Sequence, residues 1–74
     1  MISYKLRKDN LFHRNIGSYS SYGIDAFDDS SSNPIHSILD ISTEKDSLEN
    51  LICLCNESQL DIVHLDDVVE DFLT

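Results

Sequence analysis

The sequence predicts a small α+β domain in which a three-stranded antiparallel sheet is followed by two amphipathic helices, in the order β-β-β-α-α and in two layers. In the first part of the chain, apolar and polar residues alternate with the period of a half-buried strand. After about Ser42 apolar residues recur every three or four positions, which is typical of a helix. Short connections favour antiparallel neighbours, because a parallel pairing would need a crossover of a dozen residues or more. With 74 residues, the chain is expected to form one domain over residues 1–74.

The three predicted strands span residues 2–7, 21–27 and 35–41. Strand one is indicated by apolar residues at every second position, and strand two ends at a dense run of turn-forming residues. The intervening segment 8–21 is polar and contains Gly17, so it is interpreted as a loop with, as an alternative, a short extended stretch.

The two predicted helices span residues 44–57 and 62–73. Ser42 or Thr43 is the expected N-cap of the first, and Thr43 with Asp46 has the outline of a capping box. Asp61 is the expected cap of the second. Both helices should cover one face of the sheet with the apolar residues Leu48, Leu51, Ile52, Cys55, Ile62, Leu65, Val68, Val69, Phe72 and Leu73.

The net charge of −9 is unevenly distributed, because four of the five basic residues lie within the first fourteen positions. From residue 15 onward there are thirteen acidic residues and one lysine. Such an anionic chain would be repelled by phosphates, so nucleic acid is not an expected partner. A membrane is not expected either, since no apolar run approaches the roughly 20 residues needed to span one. Without an apolar targeting segment, a cytoplasmic location is expected.

The cysteines, histidines and glycines, which build catalytic, metal or phosphate sites in other proteins, do not form a recognisable site in this sequence. Cys53 and Cys55 point about 200° apart on a helix and cannot jointly hold a metal ion, so Cys55 is expected in the core. His13, His36 and His64 are scattered over different elements, and two glycines cannot build a phosphate-binding loop. We therefore expect no catalytic, cofactor or metal site and a protein that is not an enzyme.

The first candidate surface is the acidic face of the second helix, which we call the acidic face. Its like charges at i and i+4 repel one another weakly, by roughly 0.2 to 0.5 kcal/mol per pair. A basic protein partner could relieve this repulsion, or the strand-one residues Lys5, Arg7 and Lys8 could do so within the fold. The alternative is an ordinary solvated surface. The face consists of Asp66, Asp67, Glu70 and Asp71.

The second candidate surface is a sheet face that the helices leave open. Phe27 is out of phase with Ile24, so Phe27 and Ile38 are the expected members of an apolar patch there. Such a patch would suit a protein partner or a second copy of the chain, giving a homodimer. The alternative is that segment 8–21 folds over it.

These surfaces favour a non-enzymatic protein-interaction or regulatory module. The rival hypothesis is an acidic nucleic-acid mimic, an antitoxin-like inhibitor that occupies the groove of a basic DNA- or RNA-binding protein. Binding through the acidic face should weaken steeply with salt, whereas binding through Phe27 should not.

About two-thirds of the chain resembles a family of short bacterial proteins from Firmicutes, chiefly clostridia, that is defined only as a domain of unknown function. The resemblance runs from residue 22 to the C-terminus and implies a freestanding cytoplasmic protein, with no activity or ligand attached. It rests on Tyr22-Gly23-Ile24, Asp40-Ile41-Ser42, Leu54-Cys55-Asn56, Leu60-Asp61, His64-Leu65 and the specific tail Val68-Val69-Glu70-Asp71-Phe72-Leu73.

Overall fold

The computed structural model of the protein describes residues 2–30 and 32–73, and it confirms the predicted α+β class. A three-stranded antiparallel sheet with the order β1-β2-β3 is followed by two α-helices, the second preceded by one turn of 3-10 helix. The elements are β1 (Ser3–His13), β2 (Gly17–Phe27), β3 (His36–Ser42), α1 (Lys45–Glu57), the 3-10 turn (Ile62–His64) and α2 (Leu65–Leu73).

The segment 8–21 is not a loop, and the prediction there is wrong. β1 and β2 pair without interruption, from Ser3 opposite Phe27 to His13 opposite Gly17. The Ile16 N–H donates to the His13 carbonyl at 3.1 Å, and Gly17 has a φ of +89°, as in a three-residue hairpin loop closed by a glycine bulge. The sequence pattern did not predict these strands, because most of their side chains are polar and no apolar alternation marks a buried face.

The distal half of the hairpin, residues 8–21, projects from the body of the protein, and we call it the arm. Strands of 11 residues are about 36 Å long. The molecule accordingly measures 40 × 28 × 19 Å, with a radius of gyration of 12.8 Å. A compact domain of this length would have a radius of gyration of about 11 Å. Near the end of the arm, Phe12 and Ile16 are 76% and 70% exposed.

The hydrophobic core lies between one face of the sheet and the two helices. Both helices therefore cover the same face, as predicted, and each contributes the apolar positions that its periodicity indicated. Leu73, at the end of that stripe, is instead 61% exposed. The buried core consists of Tyr4, Ile24, Ala26, Ile41, Leu48, Ile52, Cys55, Leu65 and Val69.

The two predicted helix caps have different outcomes. The N-cap of α1 is Glu44, whose side chain caps no N–H, so the prediction of Ser42 or Thr43 as the cap, with its capping box, is wrong. Ser42 still belongs to β3, and its hydroxyl accepts the Glu44 N–H at 2.9 Å across the strand-to-helix turn. The Asp61 carboxylate accepts the Val63 N–H as predicted, at 3.2 Å, but the segment that it caps begins as a 3-10 turn.

A bulge in β3 adapts this strand to the core. Tyr22 pairs with Ser42 and Ile24 with Ile38, so residues 39–41 lie opposite Gly23 alone. Asp40 within the bulge has a φ of +55°, a conformation that aspartate tolerates better than most residues. The extra residues break the two-residue alternation, which lets both Ile38 and Ile41 pack on the core side.

The outer edge of the sheet at β1 is closed by Asn56, near the end of α1. Its Oδ1 accepts the backbone N–H of Tyr4 at 2.8 Å, and its Nδ2 donates to the Tyr4 carbonyl at 2.9 Å. The Tyr4 hydroxyl also donates to the Leu60 carbonyl at 2.6 Å. The amide of Asn56 thus takes the place of a neighbouring strand at this position.

We expect the substitution Asn56→Ala to lower the free energy of unfolding by about 1–2 kcal/mol, because two backbone groups of Tyr4 lose their partners. Urea unfolding monitored by circular dichroism measures the difference. Asn50→Ala is the matched control, since Asn50 is an exposed residue of the same helix. Equal unfolding midpoints for the two variants would show that the edge contact does not stabilise the fold.

Candidate functional site

The acidic face of α2 is exposed, as its sequence pattern predicts. Leu65 and Val69 on the opposite side of the helix are buried at 0% and 5% exposure, and they hold α2 against the core. The four carboxylates of the acidic face all belong to exposed residues. They form an anionic strip along residues 66–71 of this nine-residue helix.

One contact ties this strip to the sheet. His36, at the start of β3, lies with its Nε2 3.3 Å from the Asp66 carboxylate. The side chains are 43% and 76% exposed, so this pair contributes at most about 1 kcal/mol. Sequence reasoning did not find this pair, because the two residues are 30 positions apart and meet only through the packing of α2 beside β3.

The basic residues Arg7 and Lys5 do not approach the acidic face. Arg7 donates to Asp9 from Nε at 2.9 Å and from Nη2 at 3.0 Å, and Nη1 lies 2.9 Å from Asp25. The hydrogen bonds to Asp9, followed by the one to Asp25, raise the pKa of Arg7. Ser37 donates to the same Asp25 carboxylate at 2.6 Å. This polar cluster covers the sheet face opposite the helices.

This cluster was not predicted from the sequence, although the spacing of its residues along β1 gave an indication of it. Arg7 and Asp9 are two positions apart and therefore share a face of β1. Asp25 lies on the matching face of β2, because its partner in the register is Lys5. Only the hairpin register reveals that Arg7 sits between the two carboxylates.

Charge is divided between the two parts of the molecule. Residues 3–27, which form the hairpin, contain four basic and two acidic residues. Residues 28–73, which include β3 and both helices, contain twelve acidic residues and one basic residue, Lys45. The hairpin is thus weakly cationic, and the remainder of the protein is strongly anionic.

The two residues proposed for a sheet-face patch lie on opposite faces. Ile38 pairs with Ile24 and packs, half-buried, against the core beneath the helices. Phe27 is out of phase with Ile24, as predicted, and lies on the other face. There the Nζ of Lys5 stands 5.2 Å from its ring centroid, a cation–π contact. Phe27 and Ile38 therefore do not form one joint surface.

The cysteines occupy the positions that helical geometry predicts. Cys55 is buried in the core, and burial raises the pKa of its thiol. Cys53 is exposed and lies 3.6 Å from Glu57, whose charge is the main reason that the pKa of the Cys53 thiol is also raised.

Within residues 2–30 and 32–73 there is no enclosed cavity and no cluster of three or more potential metal ligands. His13 lies at the hairpin turn, where its Nδ1 accepts the Asn15 N–H at 3.2 Å, whereas His64 ends the 3-10 turn. Neither helix in the described part of the chain has the length and apolarity needed to cross a membrane.

Comparison with known proteins places the chain in a family. No curated protein and no solved structure is significantly similar to it. A family model described as "Family of unknown function (DUF6514)" matches residues 1–74, the whole length of the sequence. The chain therefore belongs to this family of unknown function, DUF6514.

Proposed function

We propose that the protein is a non-enzymatic interaction module of the bacterial cytoplasm that binds a basic surface of another protein through the acidic face of α2. The observation that carries this proposal is the separation of charge. The hairpin residue Arg7 is engaged by Asp9 and Asp25 on the far side of the sheet, while twelve acidic residues lie in residues 28–73.

The acidic face is a better candidate than the open side of the sheet. Phe27 and Ile38 lie on opposite faces, so they offer no shared apolar area to a partner. The open side is instead occupied by the ion pairs of Arg7. By contrast, α2 presents its carboxylates on a rigid helix that is anchored by Leu65 and Val69.

The partner should carry lysine and arginine residues, and the association should be fast at low salt and weak at high salt. A DNA- or RNA-binding protein is one case of such a partner, and the protein would then act as a mimic of nucleic acid. Competition between added DNA and the protein for the captured partner identifies that case.

The test is affinity capture from the native cell with the immobilised protein and with the double variant Asp67→Lys/Glu70→Lys. These substitutions leave Asp66 and its contact with His36 in place. We expect the variant to lose the partner, and salt to release the partner from the unmodified protein.

The control is Glu49→Lys/Glu57→Lys, which makes the same change in net charge at exposed positions of α1. This control should retain the partner. If both double variants capture the same proteins as the unmodified chain, the acidic face is not the binding surface.

A further inference from the structure

We infer that the edge of β2 in the arm, residues 18–20, pairs with the same edge of a second copy of this chain to form a homodimer. This inference is independent of the proposed function, because it uses the arm and not α2. It rests on the unpaired backbone of this edge, its lack of charge and a row of apolar side chains that the pairing would complete.

The direction of the backbone groups follows from Asn56. Both backbone groups of Tyr4 bind Asn56, so they point away from β2. Backbone groups alternate in direction along a strand. The backbone N–H and C=O of Asn10 therefore also point outward from β1, and those of its cross-strand partner Ser20 point outward from β2. The same holds for Ser18, which is opposite Phe12.

This edge of β2 has no neighbouring strand in the described part of the chain. β3 begins to pair with β2 only at Tyr22, so the outward groups of Ser18 and Ser20 lie beyond its reach. Natural proteins protect such edges with charges, proline or a covering element. β1 has these devices, in Lys8, Asp9 and the Asn56 contact, whereas residues 17–20 carry no charge and no proline. At Ser21 the edge is already covered, because the Ser21 hydroxyl donates to the Asp40 carboxylate at 2.6 Å.

The uncharged edge also decides how two copies can meet. Each copy carries a net charge of −9, so contact through the helices would bring like charges together. In an antiparallel pairing, Ser18 lies opposite Ser20 of the second copy. This pairing uses the outward-pointing backbone N–H and C=O groups of both residues and places a two-fold axis at Tyr19.

The same register completes an apolar row. Leu11 and Tyr19 are cross-strand partners on the sheet face opposite the helices, and both are half-buried in the single chain. With the two-fold axis at Tyr19, the two tyrosines become neighbours, and each is flanked by its own Leu11. Four apolar side chains then cover one another across the interface, which the single copy cannot achieve.

The test compares Ser20→Pro with Asn10→Pro by sedimentation equilibrium over a wide range of concentrations. The two residues face each other and share one side-chain hydrogen bond of 3.1 Å, so both variants lose the same contact. Both place proline where the N–H points outward, which edge strands tolerate. We expect Asn10→Pro to retain a mass of twice 8.4 kDa and Ser20→Pro to fall to 8.4 kDa.

A second measurement does not depend on the variants folding. In the unmodified protein, the amide protons of Ser18 and Ser20 should exchange more slowly as concentration rises, whereas that of Tyr19, which faces β1, should not change. A single-copy mass at every concentration, or equal dimerisation of both proline variants, would overturn the inference. The α2 variant Asp67→Lys/Glu70→Lys should still dimerise, so failure here is distinguishable from failure of the proposed function.

Discussion

Gly23→Ala is expected to lower the free energy of unfolding by about 3 kcal/mol, the upper end of the usual cost of overpacking. A Cβ at Gly23 would overlap the carbonyl oxygen of Ile38, and its next neighbours are also backbone atoms, of Ile38 and Leu39. Backbone atoms in a bulged strand cannot move aside as a flexible side chain can. Because the core of a domain this small supplies only about 3–5 kcal/mol, much of the protein would unfold. Urea denaturation followed by circular dichroism measures the change.

The matched control is Gly17→Ala. Gly17 has a φ of +89° and no neighbouring atom within 4 Å of an added Cβ, so alanine there meets conformational strain but no clash. Its cost should be about 1–2 kcal/mol. If Gly17→Ala proved the more destabilising of the two, the close approach of β3 to β2 at Gly23 would be wrong.

Leu65→Ala is expected to cost about 2–5 kcal/mol, because it removes a fully buried side chain and leaves a cavity between α2 and the sheet. Unfolding in urea, with the slope of the transition checked for a constant change in exposed surface, measures this loss. The result tests directly whether α2 is held by its apolar face.

Leu73→Ala is the control for this substitution, since Leu73 lies in the same helix but is 61% exposed. We expect it to change the stability by less than about 0.5 kcal/mol. Similar losses for the two variants would mean that α2 is not docked through Leu65, and the orientation of the acidic face would then be wrong as well.

An element could be predicted from the sequence when it buries a regular apolar face. The apolar stripes of α1 and α2 were found because a helix against a sheet must bury every third or fourth residue. The arm was missed because its strands are held by the backbone ladder and not by a buried face. Its one clear local signal was Gly17 at the turn. The cap of α1 was misplaced because Ser42 carries the right side chain but remains part of a strand.

Of the two candidate surfaces, one was predictable from the sequence and the other was not. The acidic face could be read from the sequence, because helical spacing alone puts its residues on the side opposite Leu65 and Val69. The Phe27 and Ile38 patch failed because the β3 register could not be known, and that register puts Ile38 beside Ile24 in the core. The pairing of Arg7 with Asp25 depends in the same way on contacts between separate strands.

By itself, the sequence determined the fold class, the amphipathic faces of both helices and the uneven distribution of charge, because these depend on spacing along one element or on simple composition. Only the tertiary structure decided the length of the hairpin, the bulge opposite Gly23, the closure of the β1 edge by Asn56 and the exposure of the β2 edge. Each of these is set by where distant backbone segments meet, and local periodicity carries no information about that.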